Sequence, residues 1–422
     1  MPGPSPFAIA DFRFYWVTRL ASTIAQMIMV IVIGWQVYDI ARETMGWKAA
    51  SFQLGLIGLV QFVPLFALTL VTGWTADRLD RRRVARATIA LELLCAAILG
   101  WLAWTGSTSL IALFAVAALL GVARAFAMPA LQALAPNLVP REILPRAIAM
   151  SSIAWQSGAI AGPAIGGYLY ALAPHLPYAT AGALFGLSLL CMFLIGPKPR
   201  TPIEGSKHPW HQMVDGLRYV RGNKLVLGAI SLDLFAVLLG GATAMLPVFA
   251  RDILHAGPTG LGHLRAAPAL GATLTAIWFS FRPLKHDVGV KMLAAVAVFG
   301  AATIAFALSR WMPLSLACLA LLGAADMLSV YVRQSLIQLY TPDDKRGRVG
   351  AVSSLFISAS NELGEAESGF LAALIGPVAA VVAGGIGAIG VTLLWARWFP
   401  ELRRARSFDA PPQDVQPREA LP

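Results

Sequence analysis

Residues 341–369 read TPDDKRGRVGAVSSLFISASNELGEAESG. A basic lead-in (Lys345, Arg346, Arg348) passes into an apolar run, which then carries Asn361, Glu362, Glu365 and Glu367 within seven residues. A carboxylate inside a bilayer is expensive, so acids in a run that crosses one mark a functional site by default. Everything else in the chain bears on whether this run crosses one.

The composition points that way. Of 422 residues, 57% are hydrophobic and 13% charged, with mean hydropathy +0.68. Soluble domains are about 45–50% apolar and about 25% charged, so a soluble enzyme is excluded. A membrane span needs about 20 apolar residues. Twelve candidate runs occur, at 14–38, 52–73, 84–104, 109–130, 147–172, 177–196, 225–249, 261–281, 291–309, 312–339, 350–374 and 377–398. The longest polar connection, Pro197–Lys224, follows the sixth. The expected domains are an N-terminal six-helix bundle (1–196), a cytoplasmic linker (197–224), a C-terminal six-helix bundle (225–400) and a polar, Pro-rich tail (401–422) expected to be disordered.

Basic residues set the orientation. With the N-terminus inside, 25 of the 33 Lys and Arg fall in inner segments, five in outer ones, and Arg19, Arg124 and Arg333 in spans. That is the positive-inside pattern, with both termini cytoplasmic. The net charge of +11 is therefore a topology signal beside anionic lipid, with no nucleic-acid partner expected. Cys95, Cys191 and Cys318 are scattered through apolar runs, and His208 and His211 have no third ligand near them, so no disulfide framework and no metal site are expected. No phosphate loop is present, which argues against an ATP-driven pump, and no cofactor is implied. The N-terminus lacks a cleavable signal pattern.

The halves repeat. A shift of 202 residues places Gly121 on Gly323, Pro140 on Pro342, Arg146 on Arg348, Gly162 on Gly364 and Gly167 on Gly369. Paired repeats of this kind build secondary transporters, with substrate held near the midplane between them. The same shift places Arg124 on Asp326. Opposite charges at equivalent depth are expected to face each other across a central cavity.

The loop after the second span reads Gly73-Trp-Thr-Ala-Asp77-Arg78-Leu-Asp-Arg81-Arg82-Arg83. It resembles the major facilitator superfamily signature G-x-x-x-D-R-x-G-R-[KR], a charge lock on the inner face that a conformational change must break. Asp80 stands where the family usually has Gly, which makes that turn position less permissive. The fifth span contains Gly158-Ala-Ile-Ala-Gly162-Pro163-Ala-Ile-Gly166-Gly167. It resembles the exporter-associated motif of the same superfamily, where glycines let helices approach closely. Longer segments, including Gly34–Asp39, Pro129–Pro136, Leu232–Ala242, Leu246–Ala250, Gly323–Asp326 and Thr341–Gly364, resemble the enterobactin-exporter-like group, or transmembrane secretion effectors. Many relatives in that group carry an acid in the middle of the first span; here the positions are Ala25 and Gln26.

The embedded charges are the candidates for proton coupling or substrate binding: Asp233, Asp326, Arg124, Arg333, Asn361, Glu362, Glu365 and Glu92. Arg333, seven residues after Asp326, lies on nearly the same helix face, about 10 Å away. A carboxylate in low dielectric favours its protonated form and a nearby arginine opposes this, the competition a proton-coupled antiporter uses. The resemblance thus implies an all-α membrane protein of twelve spans in two pseudo-symmetric bundles. It implies a monomeric secondary transporter in the cytoplasmic (inner) membrane of a bacterium, exporting a siderophore-like or hydrophobic small molecule against protons. An uptake permease and a non-transporting sensor or scaffold are the alternatives.

Overall fold

The computed structural model describes residues 5–78, 80–134, 137–196, 209–282, 284, 286–342 and 345–408; for 69–78, 209–212 and a few single positions it describes the backbone alone. In hydrocarbon a backbone N–H or C=O has no water to bind and must pair within its own segment, so the apolar runs become helices. The first half contains α1 (Ala10–Thr44), α2 (Trp47–Arg78), α3 (Arg81–Trp104), α4 (Leu110–Leu134), α5 (Leu144–Leu172) and α6 (Leu176–Leu194). An added helix, α7 (Pro209–Gly222), lies in the connection. The second half contains α8 (Lys224–Leu239), a single turn α9 (Leu246–Val248), α10 (Gly257–Phe281), α11 (Val288–Leu308), α12 (Met312–Leu339), α13 (Arg346–Ile375) and α14 (Pro377–Trp398), followed by the short α15 (Pro400–Arg404).

The pairing of helices repeats between the halves. In the first, α1 packs on α5 and α6, α4 on α2 and α3, and α3 on α6. In the second, α8 packs on α13 and α14, α12 on α10 and α11, and α11 on α14. The two large contacts across the halves, α2 with α13 and α5 with α10, exchange under the same correspondence. The fold is thus two pseudo-symmetric six-helix bundles. At the α2/α13 crossing a Cβ on Gly369 would lie 2.3 Å from Gly55 Cα, and at the α5/α10 crossing a Cβ on Gly167 would lie 2.4 Å from the Pro258 carbonyl. Gly167 and Gly369 are the pair related by the 202-residue shift.

Among the described residues, nine helical segments are long and apolar enough to cross a membrane. The expected spans α5, α10 and α13 fall outside that set. All three pack against the opposite half. Residues that meet protein there, such as Gly167 of α5, Gly262 of α10 and Glu362 of α13, replace the long apolar side chains of a lipid-facing helix, which lowers their apolarity.

Four local features differ from the sequence expectation. The seventh span is broken: α8 ends at Gly240, and the chain continues through a 3-10 turn, α9 and a π-helical turn over Phe249–Ile253. The break is forced by close approach to α13, since a Cβ on Gly241 would sit 2.5 Å from the Gly364 carbonyl. The linker is not featureless. In α7, Tyr219 donates to the Tyr340 carbonyl (2.7 Å) and Asp215 pairs with Arg348 (3.5 Å), which fasten it to the second half; 197–208 lie outside the described residues. The tail begins ordered: Leu402 of α15 is buried and Phe408 packs edge-on to Tyr331, while 409–422 lie outside the described residues. The apolar side chains of Leu402 and Phe408 give that stretch a surface to bury.

Asp80 is the fourth. Its φ is −65°, so the turn does not need glycine. Its carboxylate caps α3 by accepting from the Arg82 N–H (3.0 Å) and pairs with the Arg82 guanidinium (2.9 Å), which donates on to the Ile195 carbonyl at the end of α6 (3.2 Å). Burial pushes the carboxyl up, but the hydrogen bonds and charge of Arg82, with Arg83, outweigh it and hold Asp80 below its ordinary value.

Two outcomes are expected. Gly369→Val overpacks the α2/α13 crossing and lowers stability by about 1–3 kcal/mol, read as thermal unfolding in detergent. Asp80→Ala costs about 1 kcal/mol at pH 7. Because the folded pKa of Asp80 is depressed, its contribution is present above the unfolded carboxyl value and fades as pH falls through the folded one. The melting curves of variant and wild type should therefore converge in acid.

Candidate functional site

The stretch that opened the sequence analysis becomes α13, which lies against α2 of the other half and α8 of its own. Glu362 is 8% exposed, and its Oε1 lies 3.3 Å from Arg124 Nη2 on α4. Arg124 also donates to Gln61 Oε1 on α2 (3.2 Å), so one guanidinium ties α2, α4 and α13 together. Glu365, one turn on, pairs with Arg265 of α10 at 3.5 Å. Arg265 also donates to the Thr243 carbonyl in the broken span (3.3 Å). Gln61, Thr243, Arg265 and Glu365, with Gly34 of α1 and Pro247 of α9, help line a cavity of about 50 Å³ between the halves. The residues 362 and 365 share a helix face, as the three-residue spacing requires. Asn361 is exposed and its side chain donates to the Ile357 carbonyl (2.9 Å).

Three other acids lie within single halves. Glu92 of α3 is 0% exposed; Gln26 of α1 donates to its Oε1 at 2.7 Å, and its Oε2 has no partner among the described residues. Gln26 of the first span thus contacts an acid supplied by α3. In the second half, Asp233 of α8 forms a buried ion pair with Arg333 of α12. Asp326 makes no hydrogen bond or ion pair among the described residues and lines a small cavity with Asp233 and Ser329.

The expected confrontation of Arg124 with Asp326 does not occur. Their helices, α4 and α12, hold equivalent positions but do not form a main contact across the halves, which meet through α2/α13 and α5/α10. Arg124 reaches Glu362 instead, and Asp326 stays inside the second half. Arg333 shares its helix face with Asp326 but takes its carboxylate from Asp233.

The glycine motif divides its work. Cβ atoms on Gly158, Gly162 and Gly166 would lie 2.8, 2.5 and 3.0 Å from side-chain atoms of Thr23, Met27 and Ile31, so these glycines seat α5 on α1. Gly167 and the Pro163 carbonyl instead face α10, where a Cβ on Gly262 would be 2.8 Å from that carbonyl. In the loop motif the side chains of Gly73, Asp77 and Arg78 lie outside the described residues; Arg81 opens α3. His208 lies outside them too, as does the side chain of His211.

Sequence reasoning missed a cluster at the end of the molecule that holds the α1–α2 turn. Tyr38 donates to Asp252 Oδ2 (2.5 Å), Arg42 pairs with the same oxygen (3.1 Å), and Arg251 pairs with Asp39. Each contact joins α1 to the π-helical turn and so bridges the halves. In the sequence Arg42 and Arg251 are two of the five basic residues of the outer segments. Their signal was the adjacent acid at each site, Asp39 and Asp252, which makes two reciprocal acid–base sets.

Breaking a buried ion pair by removing one partner costs about 3–5 kcal/mol, whereas replacing both by apolar groups is often neutral. Arg333→Leu is therefore expected to lower stability by about that much, and Asp233→Leu combined with Arg333→Leu to recover most of it, measured by denaturation in detergent. A double variant no more stable than the single one would assign Arg333 to another partner.

Residues 15–364 match the family profile of the Major Facilitator Superfamily. The chain is 28% identical over 411 residues to "Enterobactin exporter EntS" of Escherichia coli O1:K1 / APEC, covering 95% of this chain and 94% of the exporter. The Shigella boydii serotype 18 exporter of the same name is equally similar, at 28% over the same length. Among solved structures, a bacterial homologue of the human lysosomal transporter Spinster, inward-facing and occupied, superposes with TM-score 0.73 at 16% identity over 95% of this chain and 99% of that one. A D-xylose–proton symporter gives TM-score 0.70 at 14% identity, over 92% of this chain and 98% of the symporter. These likenesses share the fold. With twelve long helices, a paired-charge interface between the halves and the profile match in hand, the chain belongs to the Major Facilitator Superfamily, a multi-pass membrane transporter and not an enzyme.

Proposed function

We propose that the protein exports a small organic molecule, siderophore-like or a hydrophobic drug, in exchange for protons across the cytoplasmic membrane of a bacterium, with both termini in the cytoplasm. The observation that carries this reading is the Arg124–Glu362 pair, which joins α4 of one half to α13 of the other. Halves that rock apart must break it. A buried charge left unpaired is costly, so the pair opens readily only when a donor group of the substrate takes the place of Arg124 on Glu362. Substrate occupancy of this carboxylate and proton uptake elsewhere in the embedded charges then oppose each other through the interface between the halves, and such coupling yields exchange.

Similarity to the enterobactin exporter over 95% of the chain supports export and a siderophore-like substrate. The bias of basic residues supports an orientation in which the Tyr38–Asp252 cluster faces outside. In that orientation the outer end is pinned shut, and substrate enters from the cytoplasm. The halves 1–196 and 225–400 rock as bodies joined by 197–224 in a monomer, and the loop motif of Gly73, Asp77, Arg78 and Arg81 locks the inner end in the opposite state.

Energised everted vesicles containing the protein, given siderophores and hydrophobic drugs one at a time and read with a pH-sensitive dye, are expected to release protons for one compound class and not in vesicles lacking the protein. Movement of a radiolabelled compound without proton release would overturn proton coupling. Accumulation in right-side-out vesicles alone would overturn export.

A further inference from the structure

The second half contains a cavity that the substrate path between the halves does not use. Its walls come from three helices: Asp326, Ser329 and Ala325 of α12, Asp233 and its neighbours on α8, and Val296 and Phe299 of α11. Asp326, Ser329 and Arg333 follow the i, i+3, i+7 spacing that places them on one face of α12. The cavity measures about 10 Å³, and about 10–15 Å³ is what a single water requires. Ser329 is 3% exposed and its hydroxyl has no partner among the described residues. Asp326 likewise has none among the described residues, so two polar groups point into a space with room for one water.

The charges there do not balance. Those facing the cavity or bordering it are Asp233, Asp326 and Arg333; α11 brings none. Arg333 neutralises Asp233, which leaves one negative charge on Asp326 without a counter-charge. Asp326 is partly buried, and a carboxylate without a counter-charge in a low-dielectric interior is so costly that it is neutralised instead. A hard metal cation asks for about six or more oxygen ligands. The cavity offers side-chain oxygens from Asp233, Asp326 and Ser329 against walls of Ala, Val and Phe. The neutralising species that fits is a proton.

We infer that Asp326 carries the exchangeable proton of the transport cycle, in a one-water cavity shared with Ser329, with Asp233 and Arg333 as its fixed, neutral wall. The step is a simple transfer: hydronium protonates the Asp326 carboxylate and leaves water, and the reverse returns the proton to solvent. One element touches both this cavity and the charges between the halves. Val237 of α8 lines the cavity, and the carbonyls of Val237 and Leu238 would lie 2.9 Å from a Cβ on Gly364, which sits between Glu362 and Glu365 on α13. Just past the end of α8, the Thr243 carbonyl holds Arg265. Loss of charge at Asp326 is therefore passed along α8 to the glutamates of α13. The assignment rests on the proton-coupled reading above and specifies its proton carrier.

Infrared difference spectroscopy of the purified full-length protein in liposomes, with pH as the only variable, tests it without a known substrate. The wild type is expected to show a protonated-carboxyl band that titrates. That band should vanish in Asp326→Asn, persist in Glu362→Gln and Glu92→Gln, and shift in frequency in Ser329→Ala, which removes the hydroxyl that shares its cavity. Asp326→Glu should retain a titrating band, which separates loss of the proton site from misfolding. A band that survives Asp326→Asn and disappears in Glu362→Gln would overturn the assignment and leave proton coupling standing. A band abolished by sodium chloride but not by choline chloride would overturn it in favour of a cation site.

Discussion

Charge inside a hydrocarbon layer has to be paired, and the pairing of the α13 glutamates organises this molecule. Glu362 and Glu365 sit one helical turn apart on the helix nearest the opposite half, yet their arginines come from different places: Arg124 from the other half, Arg265 from their own. One glutamate thus binds the halves together and its neighbour braces α13 against α10. Because each arginine is also anchored, Arg124 to Gln61 and Arg265 to the Thr243 carbonyl, neither can swing freely to both acids. A rearrangement of the interface has to change the protonation or the occupancy of a carboxylate.

Close backbone approach supplies the second constraint. Gly55 against Gly369 and Gly167 against Pro258 pin the halves at two crossings, and the Tyr38, Asp39, Arg42, Arg251 and Asp252 contacts pin α1 to the chain beyond α9. These features gather at the end that contains the α1–α2 turn, where glycines permit contact and ion pairs make it specific. A short contact without side chains can open and reclose with little repacking, since no side chain must change rotamer. The price of such helices is apolarity: α5, α10 and α13 are less oily than their neighbours because one face of each meets protein and not lipid.

The departures from family pattern are locally compensated. Asp80, in place of glycine, works as an N-cap and an ion-pair partner for Arg82. Gln26 of α1 holds Glu92, which enters the same region from α3. In both cases the chemistry a position needs is met by a neighbour in space.

The sequence alone determined the membrane class, the all-α fold of twelve helices and the internal repeat, because apolar runs and backbone pairing in lipid leave a chain few options. It also singled out Glu362, Glu365, Asp233 and Asp326, since acids in apolar runs stand out by composition. Which cation each acid meets lay beyond it. The 202-residue shift set Arg124 against Asp326, but a repeat equates positions and does not place them in contact. Arg124 found Glu362, Arg333 found Asp233, and Asp326 was left beside Ser329 and a small void. The latch of Arg42 with Asp252 joins residues more than two hundred positions apart. Such pairings depend on helix rotation and crossing depth, which are settled by the packing of twelve helices together and not by the order of residues in any one of them.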